Sequence, residues 1–363
     1  MSGDEWGASS GDEPNADEGQ TPGKTGHDIA RTPEDDSGPG PDGQWDPIQR
    51  ALGGSEDLYD VATWDVRSRL DHFAINVTAG LRRARKWSLI TVAALLFFAQ
   101  SAVIALFVVE EPILGALGAI SVVPALALTA YFWFEDPTRR EPLEPMAITF
   151  LLSILFASFA AIVNTLMSPV FAIVPFVGLP LYFFLVVGPI EETVKWAAIR
   201  IHAYNDRRFD AVIDGVVYGA IAGLGFAAIE NFIYIINIYS AAAPGGAMSQ
   251  LESASQTAYV RAFVGPGHVI YSSFAGYYLG LAKFNPDNRG PIVVKGLLIA
   301  VFIHALYNTL VSTLPLTDIT LAVFLVSYVG FWFAILYRKV SRYKTYYRQA
   351  QGEPDHTTLT EED

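Results

Sequence analysis

The residues of this chain that could do acid–base or metal chemistry sit where charge is costly. Glu191, Glu192, Lys195 and Glu230 lie inside long apolar stretches, and two of the six histidines, His268 and His304, lie in two more. At roughly 2.5–3.5 kcal/mol per central charge, the four ionisable groups would cost on the order of 10 kcal/mol if they faced lipid. They are therefore expected to face one another inside a helix bundle. Spacing says how they would meet. Glu191 and Lys195, four residues apart, share a helix face, Glu192 neighbours Lys195 three residues away, and the two glutamates diverge by about 100°. One glutamate can point at a reacting centre while the other and Lys195 support it. His304 and Asn308 are also four apart, and Asn231 adds an amide beside Glu230.

Such a set is equipped for hydrolysis. The chain has no cysteine, so thiolate catalysis is excluded and any metal must sit on His and carboxylate ligands. His268, His304 and a carboxylate, with Glu230 the candidate, would hold a divalent ion, zinc by expectation, and leave a position for water. Glu191 or Glu192 would take the proton of that water, and the Asn308 amide would stabilise the oxyanion. A metal-free route, with a glutamate activating water and a histidine polarising the carbonyl, uses the same residues. No HExxH occurs, which excludes the common zincin arrangement. The bland alternatives are real: a single buried Glu or Lys is as often a packing ion pair, and a lone histidine is more often a packing residue. The conjunction of three glutamates and two histidines on four successive apolar stretches exceeds what packing requires. A proton- or cation-coupled transporter using the same carboxylates is the runner-up, and a scaffold with no catalytic activity is third.

The elements that must position these residues follow from composition. Of 363 residues, 52% are hydrophobic and 17% charged, yet the net charge is −13. Residues 1–60 hold 15 acids against three bases, so a balance of −12 sits in the first sixth and −1 in the remaining 303 residues. A mean hydropathy of +0.31 over a chain with so polar a start points to an integral membrane protein, and the sign of the charge argues against nucleic acid as partner. Residues 1–57, rich in Gly, Pro, Asp, Glu and Ser, are expected to be a disordered acidic tail. Residues 58–86 read as an amphipathic and basic juxtamembrane segment, with apolar positions at helical spacing from Leu58 to Val77 and then Arg82, Arg83, Arg85 and Lys86. No secretory signal opens the chain, so the first apolar span is expected to be retained.

From 87 to 340 the chain reads as an all-α, polytopic transmembrane bundle of about eight spans: residues 87–109, 113–134, 147–167, 179–203, 211–239, 259–284, 291–313 and 319–337. Ser168–Leu181, with three prolines, reads as a tight or partly re-entrant loop. Lys and Arg gather in alternate loops, Arg261 being the clear exception, which places both termini and the C-terminal tail, 341–363, in the cytoplasm of a multi-pass cell-membrane protein. Glycines at 215, 219 and 223, and at 276 and 280, form ridges that would let two helices approach closely.

Four motifs then stand in order on successive spans: Glu191-Glu192-Thr193-Val194-Lys195 as E-E-x-x-K, Phe226 to Asn231 as F-x-x-x-E-N, His268 after Gly265-Pro266-Gly267, and His304 to Asn308 as H-x-x-x-N. Together, across residues 90–340, they resemble the PrsW family of intramembrane proteases, relatives of the CAAX prenyl proteases. The resemblance implies a polytopic metalloprotease cutting membrane-anchored proteins, with the paired glutamates and His268 catalytic. CAAX proteases usually carry a histidine where this chain has Glu230, which argues against prenylated substrates. Counted along the helices, the site is expected in the outer half of the bilayer.

Overall fold

The computed structural model describes residue 57, residues 66–241 and residues 247–350. The expected acidic tail apart from Asp57, residues 58–65 of the expected juxtamembrane segment, and residues 351–363 lie outside them. The chain divides into two compact units, residues 1–83 and 84–363. In the first, Ser68 and Asp71 form a reciprocal cap, with Ser68 N–H donating to Asp71 Oδ2 at 2.6 Å and Asp71 N–H to Ser68 Oγ at 3.1 Å. That cap starts helix α1, Arg69–Glu110.

The second unit is all-helical among the described residues. After α1 come α2 (Pro112–Phe134), α3 (Leu143–Ala172), the short α4 (Gly178–Tyr182), α5 (Gly188–Ile201), α6 (Asp214–Ala241), α7 (Ala247–Lys283), α8 (Arg289–Thr313) and α9 (Asp318–Ala350). Five of these helices are long and apolar enough to cross a membrane by length and composition, in the stretches Pro112–Phe134, Leu143–Ala172, Asp214–Ala241, Pro286–Thr313 and Ile319–Ala350. The eight expected spans are therefore reduced to five by this measure, for reasons visible in the residues. The expected first span survives as a shorter apolar helix, Ala94–Glu110. The expected fourth is split, and the expected sixth begins a dozen residues early, at Ala247, and takes in Glu252 and Arg261. The outward faces carry the exposed apolar belt of a lipid-facing bundle, including Ile120, Leu166, Leu298 and Val323, each more than 60% exposed.

The split in the fourth span lies directly before the chemistry. Pro189 has no N–H to give the carbonyl four residues back, and the hydrogen-bond ladder widens into a π-helical turn over Phe183–Val187 before α5 resumes at Gly188. The proline-rich segment expected as a tight or re-entrant loop is a turn of five residues between α3 and α4, with Phe176 fully exposed at positive φ.

At the centre stands α6, 72% of whose most apolar stretch is buried. It packs closest on α7 through the expected glycine ridges. A Cβ on Gly219 would lie 2.4 Å from the Ser272 carbonyl oxygen, and one on Gly223 would lie 2.4 Å from that of His268. Only glycine allows this approach, and it brings the backbone carrying His268 against the helix carrying Glu230. The start of α6 is fixed by Asp214, which accepts the backbone N–H groups of Asp210 and Ala211 at 2.7 Å each.

Candidate active site

Four helices deliver the polar groups to one place. Glu191, Glu192 and Lys195 come from α5, Glu230 from α6, His268 from α7 and His304 from α8. All but Glu230 are less than 5% exposed. Lys195 Nζ donates to Glu192 Oε1 at 2.7 Å and lies 2.9 Å from His268 Nδ1. Glu192 Oε1 also faces His304 Nδ1 at 2.8 Å. A carboxylate on Nδ1 takes the ring hydrogen there and leaves the Nε2 lone pair of His304 aimed inward, the arrangement by which a second carboxylate orients a metal-ligating or proton-accepting imidazole.

The two glutamates do separate work, as their 100° divergence requires. Glu192 is fully buried and tied to Lys195 and His304. Glu191 instead lines a cavity of about 640 Å³ that also meets Glu230, Arg261, His268, His304 and Asn308. Asn164 of α3 donates to Glu191 Oε1 at 2.9 Å, and Tyr182 holds the Asn164 backbone oxygen at 2.8 Å. Among the described residues Glu191 Oε2 has no hydrogen-bond partner, and it stands 3.7 Å from His304 Nε2.

Donor atoms of Glu191, His268 and His304 lie within 4.8 Å of one another. A buried oxygen beside two imidazoles is a donor set of one oxygen and two nitrogens, which fits a divalent transition ion such as zinc once Lys195 Nζ, 2.9 Å from His268 Nδ1, gives up that lone pair. The charges agree: Glu191, Glu192 and Glu230 against Lys195 and Arg261 leave one surplus negative charge in the buried group. Glu230, the carboxylate singled out as third ligand by sequence, is turned elsewhere. It pairs with the Arg261 guanidinium and meets His268 Nε2 at 2.9 Å.

Asn231, beside it, points away from the cavity. Its amide donates to Ser121 Oγ at 3.1 Å and accepts from Arg261 Nε at 2.8 Å, so it ties α6 to α2 and α7. Asn308 borders the cavity, and its side chain makes no hydrogen bond among the described residues. Two participants escaped the sequence reading. Arg261 stood out only as a misplaced loop charge, although it lies seven residues, two helical turns, before His268 and on the same face. Asn164 is the single amide in the apolar stretch 147–172, a signal that was there to use.

Comparison with known proteins identifies the family. Residues 141–336 match the family model described as PrsW family intramembrane metalloprotease. Among curated relatives named Protease PrsW, that of Geobacillus kaustophilus is 29% identical over 64% of this chain and 94% of its own length. That of Bacillus subtilis is 28% identical over 55% and 84%, and that of Halalkalibacterium halodurans 30% identical over 52% and 80%. No solved structure matches. With the match covering more than half of the chain, including Glu191, Glu192, Lys195, Glu230, His268 and His304, the chain belongs to the PrsW family of intramembrane metalloproteases and is a peptidase.

Proposed function

We propose that the chain is an endopeptidase that hydrolyses a peptide bond of a membrane-anchored protein in the cavity above Glu191. The observation that carries this is Glu191 Oε2, unpartnered and buried, facing the His304 imidazole at the floor of that cavity. Glu191, His268 and His304 are the residues that would hold a divalent ion, Glu191 taking the place sequence reasoning gave to Glu230. Bound there, the ion would polarise the scissile carbonyl and acidify water.

The chain's own residues handle the proton. Asn164 fixes Glu191 Oε1 and leaves Oε2 for one duty at a time: ligand to the ion where one is bound, or, in the metal-free route, the base that accepts a proton from the attacking water and returns it to the leaving amine. Glu192 touches no substrate; it orients His304 and balances Lys195. The Asn308 amide, on the cavity wall one turn from His304, is placed to donate to the oxyanion. Glu230, braced by Arg261, positions the His268 ring. Access is from the α6–α7 end of the bundle, where Asn237, Gln256 and Ser312 border the cavity with polar side chains able to bond an unwound peptide backbone. Under the cytoplasmic placement of both termini this end faces outward.

Membership in a protease family favours this reading over the transporter. Cleavage of a tethered substrate in proteoliposomes tests it. Glu191→Gln, His268→Ala and His304→Ala should each lower turnover by 10²-fold or more; full turnover by all three would refute the proposal.

A further inference from the structure

Where α9 leaves the apolar zone, a second concavity of about 750 Å³ opens against α7. Its walls carry Arg338, Lys339 and Arg342 with Tyr277, Tyr343, Tyr346 and Tyr347, and no carboxylate. Arg338 and Arg342 are one helical turn apart, with Lys339 between them. Lys339 Nζ lies 4.7 Å from the Tyr277 ring centre and Arg342 lies 5.7 Å from that of Tyr346. Among the described residues none of these three cations pairs with a carboxylate. Other cations of the bundle do: Lys344, next on the same helix, pairs with Glu135 at 2.9 Å and Arg208 with Asp206 at 2.7 Å. Three positive charges without a carboxylate partner among the described residues thus line, together with four tyrosines, a space large enough for a headgroup.

Depth identifies the occupant. From Ile319 to Tyr337 the helix carries no charge, and those 19 residues span about 28 Å, the thickness of the hydrocarbon core. Arg338 therefore emerges at the level of phospholipid phosphates. Seven residues earlier and on the same face, Phe331 is 59% exposed and offers an apolar track for an acyl chain. Basic charges that only set topology need neither a concavity nor a ring of tyrosines; Arg139 and Arg140 do not line this concavity. We propose that this concavity binds the phosphate of an anionic phospholipid.

The test uses the purified full chain in zwitterionic detergent, titrated with phosphatidylglycerol or phosphatidylcholine and read by the lipid retained per chain. Phosphatidylglycerol should be held and phosphatidylcholine not. At about fivefold per basic residue near an anionic surface, Arg338→Gln/Arg342→Gln should weaken retention roughly 25-fold. Arg338→Lys/Arg342→Lys should keep most of it, and Arg139→Gln/Arg140→Gln, which removes equal charge elsewhere, should leave it unchanged. Equal retention of phosphatidylcholine, an equal loss in the Arg139/Arg140 variant, or displacement of the lipid by millimolar glycerol phosphate would overturn the proposal.

Discussion

Glu191 and Glu192 are adjacent in sequence and opposite in duty, and their substitutions should separate cleanly. Glu191→Gln removes a carboxylate whose Oε2 has no hydrogen-bond partner among the described residues, so melting should stay within about 0.5 kcal/mol of wild type while turnover falls 10²-fold or more. Glu192→Gln removes the carboxylate that pairs with Lys195 and with His304 Nδ1. A buried cation left without its counter-ion costs about 3–5 kcal/mol, so this variant should melt at markedly lower temperature as well as lose activity. Thermal melts beside turnover in the same detergent check both. Equal melting of the two variants would contradict the division of labour. That the glutamates of α5 and the two histidines face the bundle interior was expected from the cost of burying charge, and spacing gave only the shared face of Glu191 and Lys195. What spacing could not give was which glutamate faces the cavity, because that depends on the π-helical turn before Gly188 and on Asn164 from another helix.

Helix contacts, more than local propensity, set the distances in the site. Gly223→Ala should drive a Cβ against the His268 carbonyl, 2.4 Å away, and push α7 from α6. Overpacking of this kind costs about 1–3 kcal/mol, and with His268 displaced turnover should drop at least tenfold; wild-type melting and turnover would show that the ridge is not tight. At the other end of α6, Glu141, between α2 and α3, is 2% exposed and accepts the Tyr218 hydroxyl. Burial pushes its carboxyl up to about 8, with the Tyr218 hydrogen bond pulling the other way and the charge of Asp214 adding to the rise. The folded state therefore holds this proton more tightly than the unfolded chain. Stability from this group is complete below about pH 4 and is lost as pH rises towards 8. Glu141→Gln, which keeps an oxygen for Tyr218, should flatten the decline in melting temperature between pH 5 and 8.5; an unchanged slope would refute that. The glycine ridges of α6 and α7 were plain in the sequence. The buried Glu141 was not, since a loop glutamate between two spans reads as solvated until the fold covers it.

For the whole molecule, the helical membrane bundle was readable from hydropathy and from charge held to alternate loops. The number of spans was less so. Helices that carry the chemistry are the ones whose apolar character is diluted: α5 holds three of the buried charges within 14 residues, and α7 runs on for 37 residues through Glu252 and Arg261. Function and a clean hydropathy signal compete for the same positions, so the functional spans are the hardest to count. The same reasoning explains Arg261, which looked like a loop charge and is held at the cavity wall by Glu230. Arg261→Ala should leave Glu230 unpaired beside His268, lowering turnover at least tenfold, and Arg261→Lys should restore part of it; wild-type turnover in the alanine variant would assign Arg261 to packing alone. The most direct test of the account is the divalent metal bound per chain in protein purified without chelator, measured beside turnover. The account predicts about one ion in the wild type, little or none in Glu191→Gln, His268→Ala and His304→Ala, and retention in Glu230→Gln. An active wild type without metal, or full metal content in all three variants, would contradict it.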